Sequence, residues 1–285
     1  MNQLSLGCIA DDFTGATDLA SLLQQSGASV IQTIGIPGQQ NPPDCDVLVI
    51  ALNSRMSARE EAISESLQAW EWLKKQGITR CFFKYCSTFD STPEGNIGPV
   101  ADALLAACGG SLAIACPSFP KNGRTVYQGN LFVDDKPLNE SSMRHHPLTP
   151  MTDANLVRVL GAQSDGDVGL VPWVTVNAGA DDVVAALAAA ESRGERLIIA
   201  DALCDHDLDI LGAAVRNHAL VTGGSAMGAA WARALMDCAP DASDPASEVQ
   251  MSLPQGHAVV LAGSCSEVTL EQIACARQSI PARRL

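Results

Sequence analysis

The sequence predicts an α/β protein: a mostly parallel sheet with helices on both faces, a small β-excursion, and an incomplete second α/β domain. Three observations carry this. Short apolar runs alternate with amphipathic helical patterns through most of the chain, which is the signature of strand–helix–strand units. Residues 124–138 interrupt the rhythm with strand-like pairs and turn residues. Beyond residue 237 the hydrophobic period stops, and it resumes near residue 258.

The elements follow in order. Candidate strands are residues 4–9, 29–34, 46–52, 80–84, 112–116, 168–176, 196–202 and 219–222. The clearest helix is 57–76, where Ile63, Leu67, Trp70 and Leu73 recur at steps of three and four and make one apolar face. Ser57 and Glu60 stand at capping-box spacing before it. Further helical stretches are 98–107, 152–160, 181–192, 205–217 and 225–237, and a helix begins near Leu19. The excursion at 124–138 reads equally as a lid or an edge hairpin. Residues 238–256, rich in Asp, Pro, Ala and Ser, read as a linker. A strand at 258–261, the turn Gly263-Ser264-Cys265-Ser266 and a helix from about residue 269 then open a second unit. The expected division is therefore a domain over 1–237, a linker over 238–256, and the start of another domain over 257–285. A unit as small as the last cannot bury a core of its own.

Composition narrows the function classes. The 285 residues are 47% hydrophobic and carry a net charge of -14, with no basic run, which speaks against a nucleic-acid partner. No apolar run reaches the length of a membrane span, and no signal peptide is evident at the start. Ten cysteines without a C-x-x-C pair, mostly inside apolar runs, read as reduced, buried thiols of a cytoplasmic protein.

The densest chemistry lies in Asp11-Asp12-Phe13-Thr14-Gly15, where the first strand hands over to a helix. Ligands of open α/β sheets bind at such strand ends. Adjacent carboxylates repel unless water, a cation, a proton or a donor group intervenes. Asp12 or Thr14 also suits a helix cap, but one cap needs only one such residue. Arg55 follows another strand end and belongs on the same rim. A cation is unfavourable beside a helix N-terminus, which favours a ligand role for Arg55 over a surface one. Lys84 closes the fourth strand and opens a loop of Asp90, Ser91, Thr92 and Asn96, a supply of polar groups for a small polyol acid. Lys121 and Arg124 follow the fifth strand. Gly223-Gly224-Ser225 follows a strand and opens a helix, where backbone N–H groups can take an anion or where close packing alone needs glycine. His145 and His146 lack further ligands at zinc spacing, and loop hydrogen bonding, or contact with substrate or a neighbouring subunit, is the better reading. The absence of G-x-x-x-x-G-K-[ST] excludes a P-loop enzyme, and the absence of G-x-S-x-G and of a strand-linked G-x-G-x-x-G ranks an unrelated α/β-hydrolase or dehydrogenase last.

Residues 9–18, 84–99, 116–123, 139–151 and 262–266, taken together and in order, resemble the four-carbon acid sugar kinase family, above all its 3-oxo-tetronate branch. The resemblance implies an acid-sugar-binding domain followed by a nucleotide-binding domain, with ATP and Mg²⁺ as cofactors and the terminal hydroxyl of a four-carbon sugar acid as phosphoryl acceptor. It implies Asp12 and Asp11 as catalytic residues. Arg55, Lys84, Asp90, Ser91, Thr92, Asn96, Lys121 and Arg124 become substrate-binding residues. Gly263, Ser264 and Ser266 become nucleotide-binding residues; Gly223, Gly224 and Ser225 are further cofactor-binding candidates by their strand–turn–helix setting, and no resident metal site is expected from the ligand spacing. Glu94 stands where many members of the wider family carry a basic residue, which the 3-oxo branch tends to lack. Because only the opening of the second domain is matched, this chain is expected to bind a small-molecule acid sugar and to hold ATP weakly or not at all. The competing reading is a sugar-acid-binding protein without turnover. A homodimer is compatible with either.

Overall fold

The computed structural model describes residues 6–38, 42, 44–236, 256, 259–262, 267–281 and 283. Eight strands form one sheet in which every pairing is parallel. They are β1 (Leu6–Ala10), β2 (Val30–Ile34), β3 (Val47–Ala51), β4 (Cys81–Lys84), β5 (Ala113–Cys116), β9 (Asp167–Val171), β10 (Glu195–Ala200) and β11 (Leu220–Gly223). Their order is β2-β3-β1-β4-β11-β5-β10-β9. The excursion is a separate antiparallel sheet of β6 (Arg124–Tyr127), β7 (Asn130–Val133) and β8 (Lys136–Pro137). The helices are α1 (Phe13–Gln25), α2 (Arg59–Lys75), α3 (Ile97–Cys108), α4 (Leu156–Gly161), α5 (Trp173–Ala178), α6 (Ala180–Ser192), α7 (Asp205–Ala214), α8 (Ser225–Met236) and α9 (Glu267–Ala276).

Strand residues alternate between two cores, as the pleat requires. Cys8, Ala10, Phe82 and Val221 face α1, α6, α7 and α8. Ile9, Ile50, Phe83 and Leu220 face α2, α3 and α4. Both faces of the central strands are buried, which explains why they read as unbroken apolar runs rather than alternating ones. The chain leaves β1 to one face through α1, while it leaves the neighbouring β3 and β4 to the other face through α2 and α3. The carboxyl end of β1 is thus a topological switch point, where the diverging helices open a crevice.

Several boundaries differ from the sequence reading. α1 begins at Phe13, one turn and more before the expected start, because Asp12 caps it by accepting from the Gly15 N–H at 3.1 Å. α2 has Ala58 as its N-cap without a side-chain bond, and the Ser57 hydroxyl instead donates to the Asn53 carbonyl, so no capping box forms. The buried face of α2 runs through Ala62, Ser66, Ala69, Trp70 and Leu73; Ile63 and Leu67 lie only partly buried at its margin. The strand expected at 168–176 stops at Val171, because Pro172 lacks an N–H and starts the short helix α5. The helix expected from 152 starts at Leu156, capped by the Asn155 side chain. Residues 259–262 form no strand, and Val259, Val260 and Leu261 are exposed; no strand among the described residues pairs with them. Among the described cysteines none is paired, yet Cys204 and Cys275 are exposed rather than buried.

The excursion packs as neither a free lid nor an edge of the main sheet. Val126 and Leu131 enter the core beside α3 and α4. Its tight turn is tied to Asp201, just past β10, whose carboxylate accepts from the Gln128 N–H at 2.6 Å, Gly129 at 2.9 Å and Trp173 at 2.8 Å. Asp201 is fully buried; of its three donors the Gly129 N–H is buried and the Gln128 and Trp173 N–H groups are partly buried, so removing its oxygens leaves one donor without water. Asp201→Ala is expected to cost about 1–3 kcal/mol, the range for one orphaned buried donor. Urea unfolding measures it, and a midpoint equal to that of the unmutated chain would mean the turn is held by its apolar contacts alone.

Candidate functional site

The switch-point crevice collects side chains from three strand ends. Asp11 follows β1 directly and is almost wholly buried; its N–H donates to the Lys84 carbonyl at 3.1 Å, and its own carbonyl accepts from the Ser54 and Arg55 N–H groups. That pairing extends the sheet by one rung on each side and fixes the β3–α2 turn against β1. The turn carries Arg55, whose guanidinium closes on the acid pair. Arg55 Nε donates to Asp11 Oδ2 and Nη2 to Asp11 Oδ1, both at 2.8 Å, and Nη2 also donates to Asp12 Oδ1 at 2.6 Å. Such a two-point fork on a carboxylate is the strong form of a charge-assisted hydrogen bond. The third nitrogen, Nη1, lies 3.8 Å from Asp90 Oδ2.

Lys84 approaches from the other flank. Its Nζ lies 3.5 Å from Asp12 Oδ1, and its side chain is nearly buried. Gly15 makes room for it, because a Cβ at that position would fall 1.7 Å from Lys84 Nζ and 2.4 Å from Asp12 Oδ1. The glycine is therefore a requirement of the site, not of the helix. Two carboxylates in adjacent positions are thus held beside two cations, which answers the repulsion that the sequence posed.

The environments of the two acids differ. Burial pushes the Asp11 carboxyl above its ordinary range, and Arg55 and Lys84 pull it only part of the way back. Burial also acts on Asp12, but Arg55, Lys84 and the Gly15 N–H outweigh it and hold that carboxyl below its ordinary range. The Asp12 side chain is 25% exposed against 6% for Asp11. Asp12 is thus the more reachable and the more firmly ionised of the pair. Burial pulls on Arg55 too, but its hydrogen bonds and the charge of Asp11 more than reverse this and keep it a cation.

The β4–α3 loop completes the wall. Phe89 adopts φ +53°, a left-handed conformation costly for a bulky residue, and is held there by burial and by edge contact with Tyr85 at 5.3 Å. This turn presents Asp90, whose Oδ1 accepts from the Thr88 hydroxyl at 2.6 Å. Asn96 Nδ2 donates to the carbonyls of Ser54, Arg55 and Ser57, at 3.0, 3.3 and 2.9 Å, and so clamps the Arg55 turn. Its Oδ1 is buried with no partner among the described residues, and Asn96 lines a small cavity with Asp11, Arg55, Asp90 and Ser91. Ser91 and Thr92 face structure more than solvent: Gln163 Nε2 donates to the Ser91 hydroxyl and the Thr92 carbonyl, while its Oε1 accepts from the Gly98 N–H. Cys86 borders Arg55 and Asp90, but burial pushes its thiol up to about 11, so it is no nucleophile.

Other expected site residues lie apart. Lys121 is exposed and pairs with Asp205 at 3.4 Å. Arg124 donates to the Asn122 carbonyl. Both follow β5, three strand spacings or about 14 Å from β1, and no hydrogen bond or ion pair joins either to the acid pair among the described residues. Gly223 and Gly224 are explained by packing alone, since a Cβ would fall 2.2 Å from the Cys116 carbonyl oxygen and 2.8 Å from that of Pro117. Gly263, Ser264 and Ser266 lie outside the described residues. His146 Nδ1 is engaged by the Thr149 N–H and hydroxyl at 3.0 and 2.8 Å. Gln163 and Asp201 escaped sequence reasoning; Asp201 was detectable in principle, as an acid immediately after an apolar strand.

The chain matches the family model described as a sugar-binding N-terminal domain over residues 6–231. It is 53% identical over 282 residues to a 3-oxo-tetronate kinase of Burkholderia multivorans, covering 98% of this chain and 65% of that protein. A 3-oxo-tetronate kinase of Salmonella typhimurium is 48% identical over 285 residues, with 99% and 66% coverage. The chain thus spans about two thirds of the length of these curated relatives. Among solved structures, a Salmonella typhimurium protein described as a putative tRNA synthase superposes with a TM-score of 0.84 at 46% identity, covering 98% of this chain and 65% of that one. A domain of unknown function from Bordetella bronchiseptica, solved with bound citrate as a domain-swapped dimer, gives 0.68 at 27% identity, covering 81% and 57%.

The two acids make opposite contributions to stability. A carboxyl held below its ordinary value of 3.8 stabilises the fold above that pH and loses the contribution as pH falls through its lower, folded value. A raised carboxyl such as Asp11 contributes below its unfolded value and costs stability as pH rises through its folded one. Asp12→Asn removes the first effect. The stability gap between the unmutated chain and this variant is expected to shrink as pH is lowered from about 6 to about 3. Denaturant unfolding across that range checks it, and a gap independent of pH would show that Asp12 is not ionised by its neighbours.

Proposed function

The chain belongs to the family of sugar-binding N-terminal domains that 3-oxo-tetronate kinases share, and from that premise we propose that it binds a four-carbon acid sugar for phosphorylation of its terminal 4-hydroxyl by ATP. The observation that carries the reading is the acid pair clamped by Arg55 and Lys84 at the switch point, on a chain about half identical to curated 3-oxo-tetronate kinases. In this reading the whole protein is the kinase, acting in carbohydrate catabolism and in the cytoplasm. No helix among the described residues is long and apolar enough to cross a membrane. The citrate bound by the Bordetella relative supports a site for small hydroxy acids, and its swapped dimer supports a homodimer here.

Phosphoryl transfer asks for positioning, charge neutralisation and one group to take the hydroxyl proton. Asp12 takes the last role: it is ionised, partly exposed, and oriented by Gly15, Arg55 and Lys84. Asp11 has both oxygens engaged by Arg55, so it holds the guanidinium and thereby sets the position of Asp12. Arg55, with its fork turned onto the acids, has only Nη1 left for a substrate oxygen. That makes it an organiser of the site first and an anchor second. Lys84 retains donors for an anionic group. Asp90 and the unpartnered Asn96 Oδ1 are acceptors for sugar hydroxyls.

ATP supplies the phosphoryl group when bound. The acid pair already faces two cations, and no group of three His, Cys, Asp or Glu side chains able to hold a metal occurs among the described residues. That donor set does not fit a resident Mg²⁺. An ion entering with the nucleotide phosphates fits the general habit of Mg²⁺ better.

In the whole protein, Asp12→Asn is expected to lower kcat by at least about tenfold, the usual range for a general base, with the circular dichroism spectrum retained. Calorimetry of this chain with erythronate, a stable four-carbon acid sugar, is expected to show binding. Full turnover in the variant would remove Asp12 from the chemistry, and absence of any acid-sugar binding would remove the substrate assignment.

A further inference from the structure

Gly223 stands in register with Lys84 on adjacent parallel strands, and its carbonyl accepts from the Tyr85 N–H at 3.1 Å. The start of α8 therefore lies one strand away from Lys84. Both are on the same side of the sheet, since Phe82, two residues before Lys84, faces α8. α1 closes against α8 there, with Leu19 so near Gly228 that a Cβ would meet it at 2.7 Å. The N-terminal ends of two helices thus flank a single buried ammonium.

Three features of this spot are unspent. The first N–H of α8 with a carbonyl partner is that of Gly228, bonded to the Gly224 carbonyl at 3.2 Å; those of Ser225, Ala226 and Met227 have none among the described residues. A helix end buried without partners is otherwise unexpected. The Ser225 hydroxyl is 2% exposed as a residue and likewise has no partner. Helical Cα–Cβ bonds tilt toward the N-terminus, which places the Ser225 Cβ at the same end as the free N–H groups. Lys84 has only Asp12, at 3.5 Å, as an acceptor among the described residues, which leaves donors of its ammonium unused. All these groups are donors, and all lie where the helix dipole favours negative charge.

We propose that Ser225, the first N–H groups of α8 and Lys84 form an oxyanion subsite that holds either the carboxylate of the acid sugar or the phosphoryl group carried by its product. The subsite rests on the acid-sugar reading above and deepens it. The start of α8 lies two strands from β1, with Lys84 on the strand between them, so one molecule can set its charged end at Lys84 and a hydroxyl at Asp12. Close packing explains the two glycines but not the orphaned serine hydroxyl, which in an anion-free role only costs stability.

The test compares the unmutated chain with Ser225→Ala and Lys84→Met, using erythronate and inorganic phosphate as separate probes. Thermal unfolding without ligand and calorimetry with each probe are measured. Ser225→Ala is expected to keep or raise the unfolding midpoint without ligand, because it deletes an unsatisfied hydroxyl, and to weaken one probe by about three- to tenfold. Lys84→Met is expected to weaken the same probe by more than tenfold. Loss confined to erythronate identifies the carboxylate as the occupant, and loss confined to phosphate identifies the phosphoryl group. If the unmutated chain binds erythronate or phosphate and Ser225→Ala binds both equally well, the subsite is wrong while the acid-sugar reading stands. A lower midpoint for Ser225→Ala without ligand would also overturn it, since the hydroxyl would then have a structural partner. If the unmutated chain binds neither probe, both readings fail.

Discussion

The Arg55 fork across Asp11 and Asp12 is the constraint on which the rest of the crevice depends. Two adjacent carboxylates at a strand end, one almost without solvent, cannot both remain ionised alone. A guanidinium can satisfy them because its nitrogens are planar and fixed, so one group spans both oxygens of Asp11 and still reaches Asp12. Everything near it serves that geometry. The Asp11 carbonyl holds the Arg55 turn, Asn96 clamps the same turn from α3, and Gly15 leaves the space that Lys84 fills. The cost of burying Asp11 appears as its raised carboxyl, and the return is a firmly ionised, reachable Asp12.

Topology puts these parts together. β1 is flanked by β3 and β4, whose helices cross to the opposite face, so three loops meet where the layers separate. The acid pair, the arginine and the lysine come from three such loops. The excursion lies off to one side, its turn tied to Asp201 just past β10. A purely parallel sheet with both faces covered leaves its carboxyl edge as the natural place for chemistry.

The sheet was largely legible, because buried parallel strands are apolar runs and the helices between them have a clear period. Misreadings came where one residue overrode a pattern. Pro172 ended a strand that hydrophobicity extended to 176, and Asp12 began a helix that periodicity placed near Leu19. In the site, Asp11, Asp12, Arg55 and Lys84 were visible as charged residues at strand ends. What they do to each other was not, since the fork of Arg55 on Asp11 depends on a side-chain direction that spacing does not encode. Gln163 and Asp201 were hidden for a similar reason: each acts on backbone groups far away in sequence.

Where a small acid sugar sits relative to the acid pair decides whether Asp12 can take the hydroxyl proton. A crystal structure of this chain with erythronate tests that most directly. The account predicts a hydroxyl within hydrogen-bond distance of Asp12, the ligand's charged end toward Lys84, and the Arg55–Asp11 fork unbroken. A ligand bound beside Lys121 and Arg124, or one that draws Arg55 away from Asp11, would contradict it.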